Sequence, residues 1–194
     1  MAGWTGVGGA LLFVAVFLLE GWARPGYSPV RHPVSALALG ARGWIQTLNF
    51  ILCGAAVAVG GVGMAVSGVS PALGIVLAVV GVGLLLSGTF RMDPVRGYPP
   101  GTPEGDPPAT SIWHRLHDGV GTIMFLALPA AAALAAFVIP ELAWKITSGI
   151  VSLGLIRAMV AFGVAWESDS PRTGLVQRAF LVPGMLWTAA VISL

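Results

Sequence analysis

Charge is scarce in this sequence. Lys and Arg together number 10 and Asp and Glu 8, only 9% of 194 residues. A water-soluble domain carries about a quarter of its residues as charge, so this scarcity excludes an ordinary soluble globular protein. The formal net charge of +2 leaves no basic surface on which to propose nucleic-acid binding. Cysteine is nearly absent as well. Cys53 is the single one, which excludes an intrachain disulfide and any cysteine-rich metal site. Strict polar–apolar alternation is missing, which excludes a β-barrel. No Lys or Arg precedes the apolar run from Trp4 to Leu19, and Glu20 and Trp22 follow it. It therefore reads as a retained first transmembrane helix and not as a secretory signal.

What remains is apolar. The chain is 56% hydrophobic with a mean hydropathy of +0.88. Six stretches reach the roughly 20 residues that span ~30 Å of hydrocarbon. They are Gly3–Gly21, Trp44–Ser67, Pro71–Phe90, Trp113–Val138, Leu142–Trp166 and Leu175–Leu194. The expected fold is an all-α integral membrane bundle of six transmembrane helices, one domain over residues 1–194. Glycine runs such as Gly60-Gly61-Val62-Gly63 would weaken a soluble helix but allow close helix contact in a bilayer. Gly68-Val69-Ser70 and Ile139-Pro140-Glu141 read as tight turns. Loops 1, 3 and 5 are longer and polar, and with six helices they share one face.

That face holds fifteen of the eighteen charged residues and all three histidines. Charge is costly in hydrocarbon, so the chemistry is expected there. The odd loops and their flanks carry eight arginines against a single Lys145 opposite, which puts the odd loops in the cytoplasm and both termini outside, in a cell (inner) membrane.

Three constellations stand out on the polar face. Arg31-His32-Pro33-Val34-Ser35 through Gly40 reads as a short interfacial helix, with Pro33 suited to its first position and Gly40 to its end. His32 and Ser35, three apart, would share a face, and a Ser/His pair is the material of nucleophilic catalysis. A merely capped surface helix is the alternative. Asp93, directly after helix 3, is either a site carboxylate or a helix-ending residue paired with Arg91 or Arg96. His114, His117 and Asp118 open helix 4 at spacings that place them on one face. With Asp93 or His32 completing the shell they could ligate a metal, zinc being the candidate, or Asp118 could orient a histidine as general acid or base. A structural interface cluster would need the same residues.

Further polar groups point to the same layer. Gln46, Asn49, Gln177 and Arg178 lie near helix starts on that side, and Ser87 and Thr89 near a helix end. Arg157 lies about 14 Å in from the odd-loop end of helix 5, where an arginine needs an acidic partner. Glu20, Asp93 and Asp118 are the candidates. Arg31, Gln46, Asn49, Arg157 and Arg178 are the expected substrate contacts. His32, Ser35, Asp93, His114, His117 and Asp118 are the expected catalytic groups. The metal ligands would be His114, His117 and Asp93.

The Arg31-His32-Pro33-Val34-Ser35 segment, the Asp93-Pro94 corner, His114-x-x-His117-Asp118 and Gly174-Leu175-Val176-Gln177-Arg178 together resemble the "domain of unknown function 998" family of prokaryotic membrane proteins. The resemblance covers nearly the whole chain. It implies a multi-helix membrane fold with polar motifs at one face and transfers no activity. Ser35, Asp93, His32, His114 and His117 also match, as residue types, the inventory of zinc-dependent membrane hydrolases of the alkaline ceramidase and progestin-receptor type. Their spacing differs, and those proteins have seven helices. The function expected is an enzyme acting on a lipid or isoprenoid-like, hydrophobic or amphipathic substrate drawn from membrane lipids, by hydrolysis or by acid–base isomerisation or cyclisation. A transporter or a non-catalytic scaffold are the alternatives.

Overall fold

The computed structural model describes residues 1–67 and 70–194; Gly68 and Val69, expected in a tight turn, lie outside it. The described residues form six α-helices: α1 (Ala2–Ala23), α2 (Gly43–Ser67), α3 (Pro71–Thr89), α4 (Ile112–Val138), α5 (Leu142–Glu167) and α6 (Thr173–Ile192). All six are long and apolar enough to cross a membrane. The chain is a multi-pass membrane protein. The expected spans fall within two residues of these bounds, because span length is a local property of hydropathy. Local signals set two starts: Ser70 and Ser111 cap α3 and α4 by accepting the Leu73 and His114 N–H groups.

Each helix packs on its neighbours in chain order, and α1 closes against α6. Between α2 and α3 the backbones touch. A Cβ on Gly54 would lie 2.7 Å from the Gly81 carbonyl oxygen, and one on Gly61 2.7 Å from that of Gly74. The relation is reciprocal, so only glycine fits this seam. The helices differ in depth. The apolar window of α6 is 61% buried, that of α5 only 22%, so α5 is the outer stave. It is fastened in its first half, where Trp187 donates to Ser148 Oγ at 3.1 Å and Ser152 Oγ donates to the Pro129 carbonyl at 3.0 Å.

Loop 1 differs from expectation. Instead of an interfacial helix, Val34–Ala38 is a short 3₁₀ turn buried throughout, with Pro33 at its cap and Gly40 at φ +73°. It packs against α1, α2 and α6 and plugs the polar end of the bundle. Its side chains Val34, Ala36, Leu37 and Ala38 are apolar on every side, which suits a plug and not a water-facing helix.

Candidate functional site

The polar face is tied together by arginines. Arg178 at the start of α6 donates to the carbonyls of Pro29, His32 and Gly174 and, at 2.6 Å, to the Tyr27 hydroxyl. Burial pushes the Tyr27 phenol up to about 12, so it stays protonated and donates to the His32 and Pro33 carbonyls. Arg24 donates to the Leu37 and Arg42 carbonyls and pairs with Glu20 at 2.7 Å, and Glu20 also pairs with Arg42. Arg96, at φ +52°, grips Asp106 through two hydrogen bonds of 2.7 and 2.9 Å and stacks 4.2 Å over the Trp166 ring. Its bond to Asp106 raises its pKa and lowers that of the carboxyl. Loops 1, 3 and 5 thus form one cross-braced cap.

Several expected substrate contacts belong to this bracing or to the core. Arg178 is 7% exposed and occupied by carbonyls. Arg31 pairs with Glu104 at the surface. Gln46 and Asn49 are buried: Asn49 Nδ2 donates to the Phe13 carbonyl and to Gln46 Oε1, and Cys53 donates to Asn49 Oδ1. Arg157 is exposed on the outer face of α5 and makes no ion pair among the described residues. Its expected partners are engaged elsewhere, Glu20 with Arg24, Asp93 with Ser111 and Asp118 with His114.

Where α5 is not fastened, a cleft of about 410 Å³ opens between its second half and the first half of α4. Thr122, Leu126 and Gly163 on its lining are exposed on the outer surface of the bundle, so it opens sideways. From Asp118 to Leu126 it runs eight residues of α4, about 12 Å. Its deep wall is aromatic. Phe125 stacks on Phe180 at 4.1 Å and on Phe162 at 5.3 Å, and Phe162 leans on Trp166. Its cap end is polar, lined by Ser35, His117, Asp118, Glu167 and Gln177.

Two of these polar groups are fixed at one end and open at the other. His117, 9% exposed, sets Nδ1 at 2.7 Å from the Phe90 carbonyl and 3.1 Å from that of Ser87. Carbonyls only accept, so Nδ1 carries the proton and Nε2 keeps its lone pair for the cleft. Gln177, 6% exposed, accepts the Val34 N–H with Oε1 at 2.6 Å, which leaves its NH₂ to donate. Asp118 is backed from behind. The Asp93 backbone N–H donates to His114 Nδ1 at 3.1 Å, so the His114 proton sits on Nε2, 3.4 Å from the Asp118 carboxylate.

Asp93 pairs with neither Arg91 nor Arg96. Its carboxylate accepts the Ser111 N–H and hydroxyl, both at 2.7 Å, and anchors the start of α4. The Ser111 backbone hydrogen bond holds its pKa below the ordinary value. Asp93 Oδ2 lies 3.5 Å from His114 Nδ1, but His117 turns its Nδ1 to carbonyls, so the expected zinc ligands Asp93, His114 and His117 do not form one group. Among the described residues no group of three or more His, Cys, Asp or Glu side chains could hold a metal ion. His32 and Ser35 also part company. The Ser28 N–H donates to His32 Nδ1, and His32 lines a small separate cavity behind Trp166, whereas Ser35 faces the cleft.

The structure therefore gathers Ser35, His117 and Asp118 into one cleft, with His114 and Asp93 behind them. Glu167, Gln177, Trp166, Phe125 and Phe162 complete it. Gln177 carried a signal, as a polar residue opening a membrane helix; the aromatic wall carried none, because Phe in a span reads as core.

Residues 7–194 match the family described as "Protein of unknown function (DUF998)". The chain belongs to that family. No curated protein and no solved structure matches it. In this DUF998 protein the motif segments have distinct places. Pro33 and Ser35 line the cleft, Asp93 and His114 position Asp118, and Gln177 closes the cleft from α6.

Proposed function

We propose that this protein is a membrane-embedded hydrolase of an amphiphile that enters the α4–α5 cleft sideways from the lipid. One observation carries the reading: a lateral cleft, apolar along about 12 Å of helix, ends at a histidine whose tautomer leaves Nε2 unprotonated beside a carboxylate. The tail lies against Phe125, Leu126, Met159 and Phe162. At the polar end His117 Nε2 takes a proton from water as it attacks a carbonyl-type link, then returns it to the leaving group. Ser35 and Gln177 donate to the oxygen on which charge develops. Asp118 holds the resulting imidazolium and is itself aimed by His114.

We further propose that the odd loops face the cytoplasm of a cell membrane. The exposed Arg91, Arg115 and Arg172 support this even with the braced arginines set aside.

The test uses purified protein in vesicles of a total polar-lipid extract, with lipid species followed by mass spectrometry. One species is expected to be consumed and a product to appear. His117→Gln, and independently Asp118→Asn, should slow this by about 100-fold or more. Asp118→Asn is the safer variant, because His117 also caps α3. Lipid movement between leaflets without product would replace this reading by transport. Unchanged turnover in both variants would sink it.

A further inference from the structure

The acyl-like tail of the occupant follows from the cleft walls; its head group follows from the charges at the polar end. We infer that the cleft selects an amphiphile with a cationic amine head group and rejects phosphate and carboxylate heads. The inference rests on the cleft being the substrate site and names the class of molecule it takes.

Two carboxylates, Asp118 and Glu167, line the polar end, one from each wall. No arginine or lysine lines the cleft. Arg96, stacked over the Trp166 ring, is held by Asp106 and does not line the cleft. His114 stands behind Asp118 and outside the cleft lining, with Nδ1 on the Asp93 N–H at 3.1 Å and 3.5 Å from the Asp93 carboxylate, and Nε2 3.4 Å from Asp118. A phosphate or carboxylate brought here would face two like charges with no lysine or arginine in the lining to offset them. An ammonium would find charge-assisted acceptors on both carboxylates.

The acidic pair does not stand alone. His117 is nine-tenths buried, with its Nδ1 anchored and its Nε2 unpartnered in the cleft, so it adds a third acceptor pointed at the same space. The donors there, the Gln177 NH₂ and the Ser35 hydroxyl, suit a carbonyl or hydroxyl next to the amine. Acceptors thus outnumber donors where the head group sits, and the complementary ligand is a donor with positive charge.

The test is binding of dodecylamine, dodecyl phosphate and dodecanoate to the purified protein in a neutral maltoside detergent, read by Trp fluorescence. Dodecylamine should bind at least about tenfold more tightly than either anion, the factor that one charge-assisted hydrogen bond supplies. Glu167→Gln, at the exposed end of α5, should shrink the preference, and Asp118→Asn with Glu167→Gln should abolish it while thermal unfolding shows both variants folded. Equal binding of the three, preference for an anion, or binding of none overturns the inference. The two readings fail separately. A consumed lipid with a phosphate head would leave the hydrolase standing and refute the amine. Selective amine binding without any product would do the reverse.

Discussion

At the residue scale, most charge on this protein is committed to other parts of the protein. Asp93 is the clearest case. It anchors α4 through Ser111 and, through its own backbone N–H, sets the tautomer of His114. Its carboxyl is held below the ordinary value near 3.8, so the folded state binds its proton less readily than the unfolded chain. Its contribution to stability is therefore complete above that ordinary value and is lost as pH falls through the lower, folded one. Asp93→Asn is expected to cost about 1–3 kcal/mol near neutral pH, as a weakened pair of charge-assisted bonds. The difference from the parent protein should close as the buffer is taken below 3.8. Thermal unfolding in detergent across that range checks both parts; a gap that is flat with pH would contradict the account. His32 has the same sign, since burial lowers its pKa and the neutral ring accepts the Ser28 N–H, so acid weakens loop 1 as well.

The candidate site was half legible in the residues. His117 and Asp118 stood out because helical spacing puts them together, and spacing is local. The fate of the arginines was not legible. Arg178 and its Tyr27 partner are separated by 151 positions, and Arg24 and Tyr98 by 74. A residue type announces a charge but not the carbonyl that will hold it.

At the scale of elements, hydropathy was sufficient for the spans and insufficient for the plug. Pro33 and Gly40 marked the ends of the loop-1 element correctly. That Val34–Ala38 would be buried depends on a gap between α1, α2 and α6 that no local pattern encodes. Glycine shows the same contrast and yields a prediction. Gly61→Ala or Gly81→Ala forces a methyl to 2.7 Å from a facing carbonyl oxygen, and each should destabilise the protein by about 1–3 kcal/mol. Gly149→Ala and Gly154→Ala on α5 meet nothing within 4 Å. These should be neutral or stabilise slightly, by up to about 1 kcal/mol. Detergent melting curves of the four variants test the distinction, and equal losses at all four would refute the packing argument.

At the scale of the whole molecule, the bundle is asymmetric, with a braced charged cap at one end and little charge at the other. The proposed orientation can be read by chemical labelling, since Cys53 is buried and gives a quiet background. A cysteine placed by Glu104→Cys should react with a membrane-impermeant maleimide only once the cytoplasmic side is opened. One placed by Lys145→Cys should react from outside in intact cells. The opposite pattern would invert the topology while leaving the fold unchanged.

The link between loop 1 and α6 bears on how such a bundle is born. Gly174 and Leu175 donate their backbone N–H groups to the Arg31 and Val30 carbonyls, and Arg178 holds two more carbonyls of loop 1, those of Pro29 and His32. An added Cβ at Gly174 would come within 2.7 Å of the Pro29 carbonyl oxygen, so this seam is closed by backbone meeting backbone. Of the six helices, α6 is the last to leave the ribosome. Until it arrives, loop 1 has only α1 and α2 to lie against, and the carbonyls of Pro29, Val30 and Arg31 lack the donors that α6 brings. The polar cap is thus sealed only once α6 is in place, and a nascent chain without α6 carries an unsealed face.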